Sequence, residues 1–206
     1  MSGIAVYMER GGDSADDKAS LRRGMSEFLS PLREAARQKR LHWKVVPCGG
    51  RNATHDAFLN ATKTWPDTVN VLVIDSEAPV ANLNSPRAHL KQRDGWDLTA
   101  IHEESIHLMI QIMETWIIAD ADAVARYYEQ RFQKSALPRV QNLEGVEKVS
   151  IYSALKQATA KTQKGEYQKI RHAAALLTGI DPAIVRQRCP SCDRLFVTLA
   201  HAIDAA

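Results

Sequence analysis

Glu9, Asp75 and Glu77 are the residues of this chain whose types and spacing best suit chemistry. Each stands at or just past the end of an apolar run, residues 4–8 for the first and 69–74 for the other two. The segments are Met8-Glu9-Arg10-Gly11-Gly12-Asp13-Ser14 and Val73-Ile74-Asp75-Ser76-Glu77. Runs of this kind read as central strands of a parallel sheet, whose carboxyl edge is where open α/β folds place their ligands. Carboxylates gathered there offer the hard oxygen donors that Mg2+ or Mn2+ takes, and such ions clamp the attacking and leaving oxygens of phosphoryl transfer. If strand geometry continues, Asp75 and Glu77 at i and i+2 point the same way, while Glu9 arrives from a neighbouring strand. The alternative is that these acids cap helices or stay solvated at loop starts.

Further candidates surround this set. Glu114 follows another apolar run and could face the same edge, with Asp120 six residues on; a surface helix with Trp116 in the core is the other reading of that segment. Asp13 is an outer metal ligand through water or, with Ser14, the N-cap of the next helix. The segment 161–172 supplies cations for phosphate: Lys161 and Lys164 flank the approach to Gly165, and Arg171 follows on a helix, although a solvated charge run has the same composition. His172 titrates near neutrality and could act as general acid or base, or be structural. Cys48-Gly49-Gly50-Arg51 follows a strand and opens a helix, so Arg51 and backbone N–H groups could cradle a phosphate, but the Lys and Ser/Thr of a P-loop are missing. Cys189-Pro190-Ser191-Cys192 has metal-ligand spacing without a second pair, and a helix start with two buried thiols accounts for it.

The elements that must position these residues follow from periodicity. After the strand at 4–8, Leu21, Met25, Phe28, Leu29, Leu32, Ala35 and Ala36 form the stripe of an amphipathic helix. Residues 42–46 form a short strand closed by Pro47, residues 52–63 a helix, and 69–74 a strand. The order βαβαβ predicts an α/β fold with a mostly parallel central sheet flanked by helices. Residues 78–104, with Pro79, Pro86 and Gly95, lose the pattern and read as a long binding loop or lid. A strand over 107–112 then passes into a helix reaching about Phe132, and 150–161, 168–177 and 190–203 are helical, with Pro190 in a first turn. This divides the chain into an α/β core over 1–120 and a helical subdomain over 121–206 packed on it.

Size and charge set bounds. The chain has 206 residues, 45% of them hydrophobic and 25% charged, an ordinary balance for a folded soluble protein. No apolar run nears the roughly 18 residues of a membrane helix, so no membrane partner is expected. The start at Met1 runs directly into a strand without an export signal, and three cysteines are too few for a disulfide scaffold; both predict a cytoplasmic protein. Net charge is +3, yet residues 121–206 hold 13 Lys and Arg against 8 Asp and Glu, while the rest hold 14 against 16. An acid-edged first part and a basic second part fit a metal on one side and phosphates on the other. Aromatic residues, at 6%, are too few to argue for single-strand stacking.

Glu9 with the following Gly-Gly-Asp, and an Asp-x-acid pair after an apolar strand, resemble the Toprim motifs of topoisomerases, primases and nucleases of the overcoming-lysogenization-defect type. A closer resemblance is to a bacterial family related to Toprim, domain of unknown function 4276. It rests on Gly11-Gly12-Asp13-Ser14, Cys48-Gly49-Gly50-Arg51, Asp75-Ser76-Glu77-Ala78-Pro79, His107-Leu108-Met109, Met113-Glu114-x-Trp116 and Lys164-Gly165-Glu166-Tyr167, in the same order along nearly the whole chain. Arg10 replaces the usual Toprim Gly and Glu77 the common Asp; both remain compatible with metal binding.

The resemblance implies a Toprim-like fold and an Mg2+- or Mn2+-dependent nuclease acting on DNA or RNA. Glu9, Asp75, Glu77, Asp13 and Asp120 would be metal ligands, and Glu114, Lys164 and His172 would join Glu9, Asp75 and Glu77 in catalysis. Arg51, Lys161, Lys164 and Arg171 would bind phosphates. It also implies an ATPase partner of the ABC or structural-maintenance type encoded nearby, a role in antiphage defence, and leaves a homo-oligomer open. The other class is a non-catalytic regulatory or binding subunit of such an ATPase.

Overall fold

The computed structural model describes residues 3–9 and 14–206. Strand β1 (Gly3–Glu9) leads to helices α1 (Ala15–Phe28) and α2 (Ser30–Gln38), strand β2 (His42–Gly49), helix α3 (Arg51–Thr64) and strand β3 (Thr68–Asp75). Helix α4 (Pro86–Asp94), strand β4 (Ile106–Met109) and helices α5 (Met113–Ala119) and α6 (Ala121–Tyr128) follow. Helices α7 (Lys148–Thr159), α8 (Lys169–Gly179), α9 (Pro182–Arg188) and α10 (Pro190–Asp204) complete the chain.

The sheet is four-stranded and parallel in the order β2-β1-β3-β4, an α/β architecture with helices on both faces. Val6 lies opposite Val45 on one side and Val71 on the other, and Ile74 lies opposite Leu108. The continuous apolar run of β3 has the composition of a strand covered on both sides, and Val71, Leu72, Val73 and Ile74 are all buried. Alternation sorts them. Val6, Met8, Val71 and Val73 join the core formed with Leu21, Met25 and Phe28 of α1, whereas Leu72, Ile74 and Leu108 meet Phe58 of α3 and Leu90 of α4. The chain therefore leaves β1 over one face and returns from β2 to β3 over the other. The carboxyl ends of β1 and β3 flank the point where strand order reverses, the crevice in which doubly wound sheets bind ligands.

The α1 face carries a second helical layer. Trp116 of α5, Leu176 and Leu177 of α8, and Leu195 and Leu199 of α10 share one continuous core with Val6 and Val73, so packing crosses residue 120 without a break. In that layer α1 approaches α8 closely at Gly24, where an added Cβ would stand 2.4 Å from the carbonyl oxygen of Ala174. A backbone atom cannot rotate away, so Gly24→Ala is expected to destabilise the fold by about 1–3 kcal/mol, read as a lower urea midpoint with the slope unchanged.

Element boundaries differ from expectation where caps intervene. The expected long first helix is two: Leu29 closes α1, and Ser30-Pro31 starts α2 with proline in its first turn. The expected strand to residue 112 ends at Met109, and the helix expected to reach Phe132 is broken at Asp120, whose side chain accepts the Ala123 N–H to start α6. Part of the expected lid is helix α4, begun by Pro86 and ended by Gly95 at φ 72°. Helix α9, with Asp181 as N-cap and Pro182 in its first turn, was not expected.

Candidate acidic site at the carboxyl edge

Glu9 is the last residue of β1 and Asp75 the last of β3, so the sheet delivers both to one edge. It does not aim them together. Met8 lies opposite Val73 and both face α1, so alternation gives Asp75 to the α1 side and Glu9 to the α3 side of the sheet. Each finds a cation on its own side.

On the α3 side, Arg51 opens α3 beneath the edge. Its guanidinium grips Asp94 of α4 through two hydrogen bonds of 2.8 and 2.7 Å, donates to Glu9 Oε2 at 3.2 Å and to the Asp75 carbonyl at 2.6 Å, and lies over the Trp96 ring. Burial opposes its charge, but the hydrogen bonds to Asp94 and the charges of Glu9, Asp94 and Glu77 raise its pKa above the ordinary guanidinium value. Arg51 is thus a clamp between two helices and two strand ends, not a side chain held out for phosphate. The His55 ring stacks on Trp96 at 4.2 Å and closes this side.

On the α1 side, Asp75 and Glu114 are both fully buried. Asp75 Oδ1 accepts the Met113 N–H at 2.9 Å and so caps α5 from a distance in sequence. Glu114 stands one residue further on. Its Oε1 accepts the hydroxyls of Tyr167 at 2.9 Å and Tyr152 at 3.2 Å, and its Oε2 lies 2.8 Å from Lys169 Nζ. The same ammonium is 3.7 Å from Asp75 Oδ2 and donates to the Tyr152 hydroxyl at 3.3 Å. Burial, first, and then Glu114 push the Tyr167 hydroxyl pKa far up, which keeps it a donor.

Glu77 departs from strand geometry. The strand ends at Asp75, the Ser76 N–H donates to the Met109 carbonyl, and Glu77 adopts φ 61° with its N–H on the Gln111 carbonyl. The expected i, i+2 alignment with Asp75 therefore does not form. Glu77 Oε2 instead pairs with Lys148 Nζ at 2.8 Å, at the start of α7.

The remaining expected residues are spread more widely. Asp120 sits beyond the far end of α5 from Glu114; its Oδ1 accepts the Ala123 N–H and its Oδ2 the Asp181 N–H, so both oxygens hold helix starts. His172 is buried against Tyr128, with Nδ1 accepting the Gln168 N–H at 3.2 Å and facing the Tyr128 hydroxyl at 2.9 Å. A backbone N–H can only donate, so the ring is the neutral Nε2–H tautomer. Burial, Arg171 and Lys164 lower its pKa accordingly. Lys164 lies over the Tyr127 ring and 3.7 Å from Glu129, while Lys161 and Arg171 are exposed, the first in the α7–α8 connection and the second in the first turn of α8. Arg51 belongs to the other side of the sheet, so the four expected phosphate contacts do not form one set. Asp13, with Arg10, Gly11 and Gly12, lies outside the described residues, and Ser14 caps α1 through the Asp17 N–H. Cys189 and Cys192 are buried at the start of α10, and burial, before any neighbouring charge, pushes both thiols up.

Lys169, Lys148, Tyr152 and Asp94 complete the site without having been singled out, and Tyr167 had entered only as the end of the Lys164-Gly165-Glu166-Tyr167 motif, with no role assigned. Tyr167 and Lys169 adjoin the Lys164-Gly165-Glu166 turn, and that was the available signal; the others meet the acids only through tertiary packing. Among the described residues no three His, Cys, Asp or Glu side chains converge as a metal ion needs. Asp75 and Glu114 are the pair whose chemistry fits a hard divalent cation, since two buried carboxylates already share an ammonium there. No described helix is long and apolar enough to cross a membrane.

Fold and site together define a doubly wound parallel α/β protein with a buried, ion-paired carboxylate edge. The chain belongs to the family described as domain of unknown function (DUF4276), which matches residues 12–200. No curated protein and no solved structure matches it.

Proposed function

We propose that this protein is a cytoplasmic metal-dependent nuclease, hydrolysing phosphodiester bonds of DNA or RNA at the carboxyl edge of its sheet. The observation that carries the reading is the burial of two carboxylates, Asp75 and Glu114, at the end of β3 and the start of α5, held by a mobile kind of side chain, a lysine. Buried carboxylate pairs are costly and persist where a cation is held. Asp75 and Glu114 would hold Mg2+ or Mn2+, with Glu9 and Glu77 at the same edge. The ion would supply an activated water and neutralise charge on the phosphate oxygens. The likeness of Glu9 and Asp75-x-Glu77 to Toprim motifs supports a metal at this edge, with Asp75 the ligand common to both readings, and the Toprim-like relationship. It also supports a partner ATPase of the ABC or structural-maintenance type and a place in antiphage defence.

A second reading has its own observation. Each acid at the edge touches a cation of the chain, Arg51 for Glu9, Lys148 for Glu77 and Lys169 for Asp75 and Glu114, which suits a regulatory subunit whose edge acids are held by the chain's own cations without metal. The two are separated by incubating the protein with supercoiled plasmid and with transfer RNA in Mn2+ or EDTA. The nuclease reading expects cleavage in Mn2+ that EDTA abolishes and that Asp75→Asn lowers about 100-fold. Intact substrates at high enzyme concentration would leave the regulatory reading.

A further inference from the structure

Lys169 occupies a position that the nuclease reading does not use. It is the first residue of α8, reached by the non-helical connection after α7, and its Nζ touches Glu114 Oε2 at 2.8 Å and Asp75 Oδ2 at 3.7 Å. The carboxylates are fully enclosed, but the lysine side chain retains 18% exposure. The next two residues, Ile170 and Arg171, face solvent. The ammonium therefore lies against enclosed oxygens while part of the side chain that carries it reaches solvent. A lysine carries its charge on four flexible carbons and can leave such a seat without moving the backbone.

The fixed donors beside it do not have that freedom. Tyr167 and Tyr152 hold Glu114 by their hydroxyls, and the Met113 N–H holds Asp75, so the pair keeps its place when the ammonium moves. Two carboxylates left without a cation in this enclosure would be strongly unfavourable, so whatever removes Lys169 must bring positive charge in exchange.

We propose that Lys169 is the resident counter-ion of the Asp75–Glu114 pair and competes with the divalent cation for it, so that loading the cation and releasing the lysine are one exchange. This rests on the reading of the edge as a metal site, and it adds the regulation of that site: an interaction that draws the first turn of α8 outward favours the metal-loaded form. At fixed cation concentration the site is closed by its own side chain.

Calorimetric titration of Mn2+ into the full-length protein, Lys169→Gln and Lys169→Arg tests this. Removing the competing charge is expected to tighten Mn2+ binding about tenfold in Lys169→Gln, while Lys169→Arg stays near the parent value. Equal or weaker binding by Lys169→Gln, with the parent binding normally, overturns the exchange and leaves the metal reading standing. No Mn2+ binding by the parent or by a folded Lys169→Gln removes the metal reading and the exchange with it. Should Lys169→Gln fail to fold, peptide-mapped acetylation of the unaltered protein gives the answer. Release predicts faster Lys169 modification in Mn2+ than in EDTA, and equal rates contradict it.

Discussion

Arg51→Ala is expected to lower the unfolding free energy by about 3–5 kcal/mol, measured by urea denaturation followed by circular dichroism. The Arg51 side chain is 14% exposed and those of its carboxylate partners Glu9 and Asp94 are 11% and 9% exposed, so removing it takes a charge partner from two enclosed anions, of which Asp94 keeps Arg93. It also removes the donor to the Asp75 carbonyl and the tie between α3 and α4. A lysine at this position would restore the charge but not the two-pronged grip on Asp94, so Arg51→Lys is expected to recover only part of the loss. A cost below about 1 kcal/mol would place Arg51 among weak surface ion pairs and return it to the candidates for phosphate binding.

Acid unfolding is expected to carry a large contribution from His107. This residue of β4 is fully enclosed; Arg194 Nη1 donates to its Nδ1 at 3.1 Å, and its Nε2–H donates to the Glu104 carbonyl at 2.9 Å. Burial, and then the Arg194 charge, lower its pKa from 6.5 to about 3. In the unfolded chain the ring protonates near pH 6.5, whereas in the folded protein it stays neutral to about pH 3. Between those values the unfolded state binds more protons. The stability contributed by neutral His107 is therefore present above pH 6.5 and lost as pH falls toward 3, on the order of 5 kcal/mol in all. His107→Gln keeps an acceptor for Arg194 without titrating. Its stability should fall less steeply with acid, by about 1.4 kcal/mol per pH unit in that window. Parallel stability curves for the two proteins would contradict the assignment.

The parallel sheet was legible because its strands are short apolar runs rich in Val and Ile separated by amphipathic stripes, and burial on both faces leaves no other use for them. Helices α4 and α9 were not, because both are short and largely polar outside, and neither has a sustained apolar period. Their Pro-start signals, and the Gly-stop of α4, were present, and weighting Pro86 with Gly95 would have found one of them. The strand-end acids were legible for the same reason as the strands. Their orientation was not: it depends on the register that sets Met8 opposite Val73, which sequence spacing does not reveal. The partners were hidden further still. Arg51 meets an acid 43 residues away, Lys148 one 71 away and Lys169 one 55 away, pairings created only when helices are laid over the sheet. Lys164, nearest in the sequence pattern, lies on Tyr127 instead. Asp120 shows the reverse case, an acid of suitable position whose oxygens are taken by two helix N-termini.

Whether the carboxylates at the end of β3 and the start of α5 accept a divalent cation is tested most directly by crystals grown with Mn2+ and measured at a wavelength where manganese scatters anomalously. The predicted result is an anomalous peak within bonding distance of Asp75 and Glu114, with the Lys169 ammonium withdrawn from both. A structure at saturating Mn2+ with no peak there and Lys169 still bridging the two acids would contradict the metal site and the function built on it.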